Sequence, residues 1–245
     1  MRATPETSEA ELGTAELLWG RREPPARGPR PGLSVPAIAE AAARIADQEG
    51  YPALSMQRVA AEVGVTKMAL YRYVAGKGEL DAVMIELSVD EPPDLSGVPG
   101  GWRPRVERFV RELGEVWRRH PWLPWATVGD RVMGPREVGW VECAFAAFDG
   151  AGLTADERRQ AVFVLFGHVR NTQSPATAGT QPWSGGAGPS AVLREVLDRH
   201  ADRFPVLAAL PPPAGPDDDL GRAFGLRCLL DGIETLVAGR AAAAR

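Results

Sequence analysis

The chain has little of what an enzyme, a membrane protein or a secreted protein needs. It holds only two cysteines, Cys143 and Cys228, too far apart for a metal-ligand spacing or a disulfide framework. Each sits in an apolar helical run, where a buried free thiol in a reducing cytoplasm is expected. The three histidines, His120, His168 and His200, are scattered and form no HExxH or other metal-ligating pattern. There is no G-x-S-x-G, no P-loop and no dinucleotide fingerprint, and the glycine-rich GVPGG and SGGAG loops lack a preceding strand. The Asp217–Asp219 triplet reads as a cap for the last helix. No apolar run is long enough to span a bilayer. The first thirty residues carry Glu6, Glu9, Glu11 and Glu16 and no apolar h-region, so they do not read as a signal peptide. Catalysis, a metal and a cofactor are all unsupported, and a cytoplasmic binding protein is the expectation.

The net charge of −4 argues against nucleic acid until it is divided along the chain. Residues 21–80 carry nine Arg/Lys against six Asp/Glu, whereas residues 81–245 carry eighteen against twenty-two. A mildly acidic remainder keeps such a protein off bulk DNA, so discrimination has to come from local contacts.

The positive segment contains the most organised stretch, Leu54 to Lys77, LSMQRVAAEVGVTKMALYRYVAGK. Ser55 is a good N-cap, and Met56, Val59, Ala60 and Val63 then share a helical face. Gly64 supplies the positive φ of a tight turn. Thr66 caps a second short helix, Thr66 to Tyr73, whose inner stripe is Ala69, Leu70 and Tyr73. Two short helices around a glycine turn predict a helix-turn-helix. The second helix shows Thr66, Lys67, Met68, Tyr71 and Arg72 outward, and no acidic residue occurs from Gly64 to Gly78. A helix entering the major groove needs that profile: cations for phosphate and guanine, hydroxyls for phosphate, apolar atoms for thymine methyls. The competing reading is a helical hairpin packed inside an enzyme, its charges merely solvated.

The segment ALSMQRVAAEVGVTKMALYRYVAGKGEL resembles the DNA-binding domain of the TetR family of bacterial repressors. The preceding SVPAIAEAAARIADQEG and the following LDAVMIELSV match as well. The resemblance covers about Leu33 to Val89. LYRYV, the Gly-Trp near Trp102 and RRHPWL are similar to the subgroup that includes the tetracycline repressor. The resemblance implies that Gln57, Thr66, Lys67, Met68, Ala69, Tyr71, Arg72, Tyr73 and Lys77 lie at the DNA. Arg72 is then the base reader, Lys67 meets base or phosphate, and Tyr71, Tyr73 and Lys77 meet phosphate. It also implies a homodimer on a pseudo-palindromic operator, a small-molecule effector, and a four-helix-bundle interface built from the last helix and the one near Phe163.

An all-α fold follows for the whole chain, in three parts. Residues 1–32 read as a flexible basic arm with Arg21, Arg22, Arg27 and Arg30, either a passive tail or a minor-groove arm, although Trp19 offers a way to dock on the body. Residues 33–90 form the three-helix DNA-binding domain and the helix that joins it to the rest. Lys77 opens that joining helix, where a cation opposes the dipole, so a phosphate partner accounts for it better than helix stability does. EPPDLSGVPGG breaks the pattern, and residues 101–245 form a helical ligand-binding and dimerisation domain. Its first helix places Val106, Phe109, Val110, Leu113, Val116 and Trp117 on one face and runs to about His120. Pro135 starts another helix, Thr154 to Glu157 is a capping box, and Gln173 to Ser190 reads as a long mobile loop.

The aromatic content of this half suits a largely apolar pocket for a hydrophobic or aromatic effector. Its candidate lining is Trp117, Trp122, Trp125, Trp140, Phe145 and Phe166, with Arg131, His168 and Asn171 as polar groups. The residues that bind tetracycline and its magnesium in the best-known relative have no match here. Two rival functions remain at this stage: an effector-independent DNA-binding regulator, and an enzyme on a helical scaffold.

Overall fold

The computed structural model describes residues 8–20, 33–173, 190–211 and 218–243. Among them there is helix and turn but no strand, and no helix is long and apolar enough to cross a membrane. The chain divides into two compact units, Met1–Asp149 and Gly150–Arg245. That division falls well beyond the Pro/Gly-rich break at residues 91–101, because the helices after the break pack on those before it.

The first unit holds α1 (Glu9–Leu18), α2 (Val35–Glu49), a 3-10 turn (Tyr51–Ala53), α3 (Met56–Glu62), α4 (Lys67–Leu70), α5 (Lys77–Ser88), α6 (Trp102–Arg119), α7 (Leu123–Ala126) and α8 (Pro135–Ala147). Ser34 caps α2 by accepting the Ala37 N–H, and Pro36 occupies its first turn. The buried face of α2 is built of Ile38, Ala39, Ala42, Ile45 and Ala46, small enough for α5 to pack closely with Leu80, Val83 and Met84. The Ile, Leu, Val and Met side chains among these each contribute roughly 1.5–3 kcal/mol when fully buried. The expected stripe of α6 is buried at every position, and it packs on α8.

The amino-terminal segment corrects one expectation. Residues 1–32 were to be flexible, but Ser8 and Glu11 form a capping box that opens a ten-residue helix, α1. This helix packs on α5, and the Trp19 indole donates to the Met133 carbonyl at 3.1 Å, which docks it on the body. The arginine-bearing arm, residues 21–32, lies outside the described residues.

The α5–α8 contact has an unusual cap. The N-cap residue of α8 is Gly134, with no side chain to offer, and the buried Glu86 of α5 accepts the backbone N–H groups of Arg136 and Glu137 at 2.8 and 3.3 Å. Two of the orphan donors at the start of α8 are thereby satisfied from another helix.

The second unit holds α9 (Ala155–Gln173), α10 (Ala191–Arg199), α11 (Pro205–Ala208) and α12 (Asp218–Ala243). The capping box expected at Thr154 is present, with Glu157 accepting the Thr154 N–H at 2.8 Å. Helices α9 and α12 pack together, and Arg240 ties to Glu157 at 2.7 Å. Cys228 departs from expectation: it is exposed on α12, whereas Cys143 is partly buried with its thiol pushed up to about 11 by burial, aided by Asp94. The loop expected at Gln173 to Ser190 lies largely outside the described residues, as does Asp217.

Candidate nucleic-acid interface

Capping sets the two helices of the turn. Ser55 accepts the Arg58 N–H at 3.1 Å, and Thr66 accepts the Ala69 N–H at 3.2 Å. Between them Gly64 takes φ 69°, a left-handed conformation that costs other residues a steric clash, and the Val65 N–H closes onto the Ala60 carbonyl at 2.9 Å. Val59, Ala60 and Leu70 fill the space between the helices. The second helix is shorter than expected: α4 ends at Leu70 and continues as a turn, with Tyr73 N–H to Leu70 carbonyl at 2.9 Å.

The outer surface is as the periodicity demands. Gln57, Thr66, Lys67, Met68, Tyr71 and Arg72 are all exposed, and Ala69 is half-buried. Met68 is 74% exposed and Tyr71 39%, which puts apolar atoms on the outer face beside the cations. Lys67 lies 5.9 Å from the centre of the Tyr71 ring, so the two share one patch.

Two of the nine residues behave differently. Tyr73 is 3% exposed, and its hydroxyl is buried without a hydrogen-bond partner. Its ring belongs to the core of the domain, so this side chain does not present itself to a phosphate. Lys77 already has partners: its ammonium meets both Asp81 carboxylate oxygens at 2.9 and 3.0 Å and the Tyr51 hydroxyl at 3.2 Å. Burial works to lower the Lys77 pKa, but Asp81 and Tyr51 outweigh it and the net shift is upward. The α5 start therefore tolerates this cation because Asp81 stands one turn on, a spacing visible in the sequence; Tyr51 was not foreseen.

Arg58 is a further cation of the segment that is engaged within the protein. It meets Glu49 at 2.7 Å and Glu62 at 2.8 Å, and those hydrogen bonds raise its pKa further.

The candidate effector residues fall in both units. Trp117, Trp122 and Trp140 are core residues of the first unit. The Trp140 indole donates to the Val89 carbonyl at 2.9 Å, and the Trp122 indole donates to Asp47 at 2.7 Å. Phe145 is half-buried on α8. Phe166, His168 and Asn171 belong to α9 in the second unit, with Asn171 exposed. Trp125 and Arg131 do share a cleft of about 500 Å³, together with Thr14, Tyr51, Asp81 and Asp130. Arg131 is neutralised there by Glu137. No group of acidic, histidine or cysteine side chains suited to a metal occurs among the described residues.

Comparison with known proteins agrees with this geometry. Residues 33–81 match the family model "Bacterial regulatory proteins, tetR family", and residues 96–237 match "Tetracyclin repressor-like, C-terminal domain". The chain is 38% identical over 240 residues to the HTH-type transcriptional repressor DrrR1 of Streptomyces coeruleorubidus, covering 93% of this chain and 87% of that one. Apo ActR of Streptomyces coelicolor superposes with a TM-score of 0.69 at 23% identity, over 86% of this chain and 99% of that one. ActR in complex with actinorhodin superposes with a TM-score of 0.66 at 25% identity, over 83% and 96%. The matched models and relatives are transcriptional regulators, not enzymes. With an exposed second helix after a glycine turn and both halves matched, the chain belongs to the TetR family of bacterial transcriptional regulators.

Proposed function

We propose that the protein is a homodimeric repressor that releases its operator when a small hydrophobic or aromatic molecule binds. The observation that carries the DNA-binding part is the outward face of α4 and the turn after it. Lys67, Met68, Tyr71 and Arg72 stand exposed there, with no carboxylate in the sequence from Gly64 to Gly78. Two such helices would enter successive major grooves, with Arg72 reading a base, Lys67 meeting base or phosphate, and Tyr71 and Lys77 on phosphate. Gln57, Thr66 and Ala69 complete the contact surface.

Dimerisation is supported by apolar side chains left in water on the two packed helices of the second unit. Phe163 of α9 is 75% exposed and Phe224 of α12 is 57% exposed. A second copy would cover such groups, as large apolar patches call for. Effector control is supported by the ActR structure solved with actinorhodin. Release then follows if the effector favours a conformation with the wrong spacing between the two reading helices. Such a partner in DNA makes the cytoplasm the place of work.

The test is a fluorescence-anisotropy titration of the full-length protein on DNA from just upstream of its own coding region, at several salt concentrations. Tight, salt-dependent binding with the footprint of a dimer is the expected result. Failure on that DNA and on random genomic fragments alike would sink the repressor. Addition of actinorhodin to the bound complex probes the effector: release at micromolar concentrations supports control by a ligand of that kind.

A further inference from the structure

We propose that Trp122 is a positioning residue for Lys77, acting through Tyr51, so that the turn between α6 and α7 governs how Lys77 meets a DNA phosphate. The proposal rests on the DNA-binding reading above and deepens it. Six side chains from four places in the first unit meet here: Asp47 in the last turn of α2, Tyr51 in the 3-10 turn, Lys77 and Asp81 in the first turns of α5, and His120 and Trp122 between α6 and α7.

The order of contacts gives the direction of the argument. The Trp122 indole donates to Asp47 Oδ1 at 2.7 Å, and His120 Nδ1 lies 3.1 Å from the same oxygen. This pins the indole plane, which is almost wholly buried. The Tyr51 ring stacks on it, with centroids 6.3 Å apart and planes 12° apart. Tyr51 in turn donates its hydroxyl to Asp81 at 2.9 Å and accepts from Lys77 Nζ at 3.2 Å, while Nζ also lies 4.4 Å from the centre of its ring.

An ammonium has three N–H groups. Asp81 Oδ1, Asp81 Oδ2 and the Tyr51 hydroxyl are its three acceptors here, so a phosphate oxygen would take the place of one of the two Asp81 oxygens. A free lysine loses rotamer freedom when it settles on DNA; here that freedom is already spent before DNA arrives. Asp81 alone does not achieve this, because a single carboxylate lets the stem swing about it. Tyr51 supplies the second fixed point, and the plane of its ring is set by what lies against it. That is Trp122, whose own place is set by the turn following α6.

A double-mutant cycle tests this. The probe is a fluorescein-labelled duplex selected from a random-sequence pool by the full-length wild-type protein. Lys77→Gln is expected to weaken binding about three- to tenfold and to lower the slope of log K against log salt by about 0.9 for each protomer. Trp122→Leu is expected to give the same loss of affinity and of slope, and nothing further when combined with Lys77→Gln. Tyr51→Phe, which leaves packing intact, is expected to repeat the pattern and carries the test if Trp122→Leu does not fold. Additive losses, or an unchanged slope in the Trp122→Leu and Tyr51→Phe variants, would overturn the proposal, since a purely structural defect lowers affinity without removing a phosphate contact. If the wild-type protein selects no DNA at all, the DNA-binding reading falls and takes the proposal with it.

Discussion

Glu86 on α5 caps α8 from fifty residues away, its carboxylate accepting the Arg136 N–H at 2.8 Å. The cap depends on Gly134, because a β-carbon there would overlap the Glu86 carboxylate. Gly134→Ala is expected to push the carboxylate off both amides and cost about 1–3 kcal/mol of stability. Urea denaturation followed by circular dichroism measures it, and a change under about 0.5 kcal/mol would show that the carboxylate can move without loss.

The same carboxyl makes stability depend on pH. Burial raises the Glu86 pKa above its ordinary 4.5, and the two backbone N–H groups only partly offset this. The folded protein thus holds this proton to higher pH than the unfolded chain does. The contribution is complete below the unfolded value and is lost as pH rises through the raised folded value. Glu86→Gln should flatten that fall between acid and neutral pH; an unchanged profile of denaturation midpoints would assign the slope to other groups.

Tyr73→Phe separates a core role from a phosphate contact. The hydroxyl is buried and unpartnered, so its removal should leave DNA affinity unchanged and raise stability by up to about 1 kcal/mol. A clear loss of DNA affinity, with a reduced salt slope, would instead put this hydroxyl at the DNA.

Arg72→Ala should relax the sequence preference at one base position at a cost of about 1–3 kcal/mol. The measurement is a comparison of single-base operator variants with wild-type and mutant protein. Uniform weakening across all variants would reassign Arg72 to the phosphates.

Phe163→Asp should shift the protein to monomers, since the side chain is exposed on a helix expected to meet its copy. Sedimentation velocity at micromolar concentration reads this directly. A variant that remains dimeric would move the interface elsewhere.

What could be read in the sequence was local. Ser34, Ser55, Thr66 and the Thr154–Glu157 box cap the helices that their spacing announces, because capping involves residues within one turn. The apolar stripe of α6 was legible for the same reason. Tyr73 is more instructive. Periodicity placed it on the inner stripe and resemblance placed it at the DNA, and the structure follows the periodicity. The α1 helix was overlooked although Ser8 and Glu11 carry its capping box, because a Pro- and Arg-rich sequence beside it dominated the composition. The Tyr51–Lys77 contact and the Glu86 cap join residues 26 and 50 apart in sequence. No spacing rule reaches that far.

The clamp of Glu49 and Glu62 around Arg58 bears on how the protein finds its site. With that guanidinium held by two carboxylates, fewer free cations are offered to DNA than the sequence of the segment contains. On the proposed reading, fewer counterions would be released on random duplex and residence there would be shorter. On that reading, a weakly held scan would let the protein sample many positions quickly and stop where Arg72 finds its base. Search speed and selectivity would then be served by withholding charge.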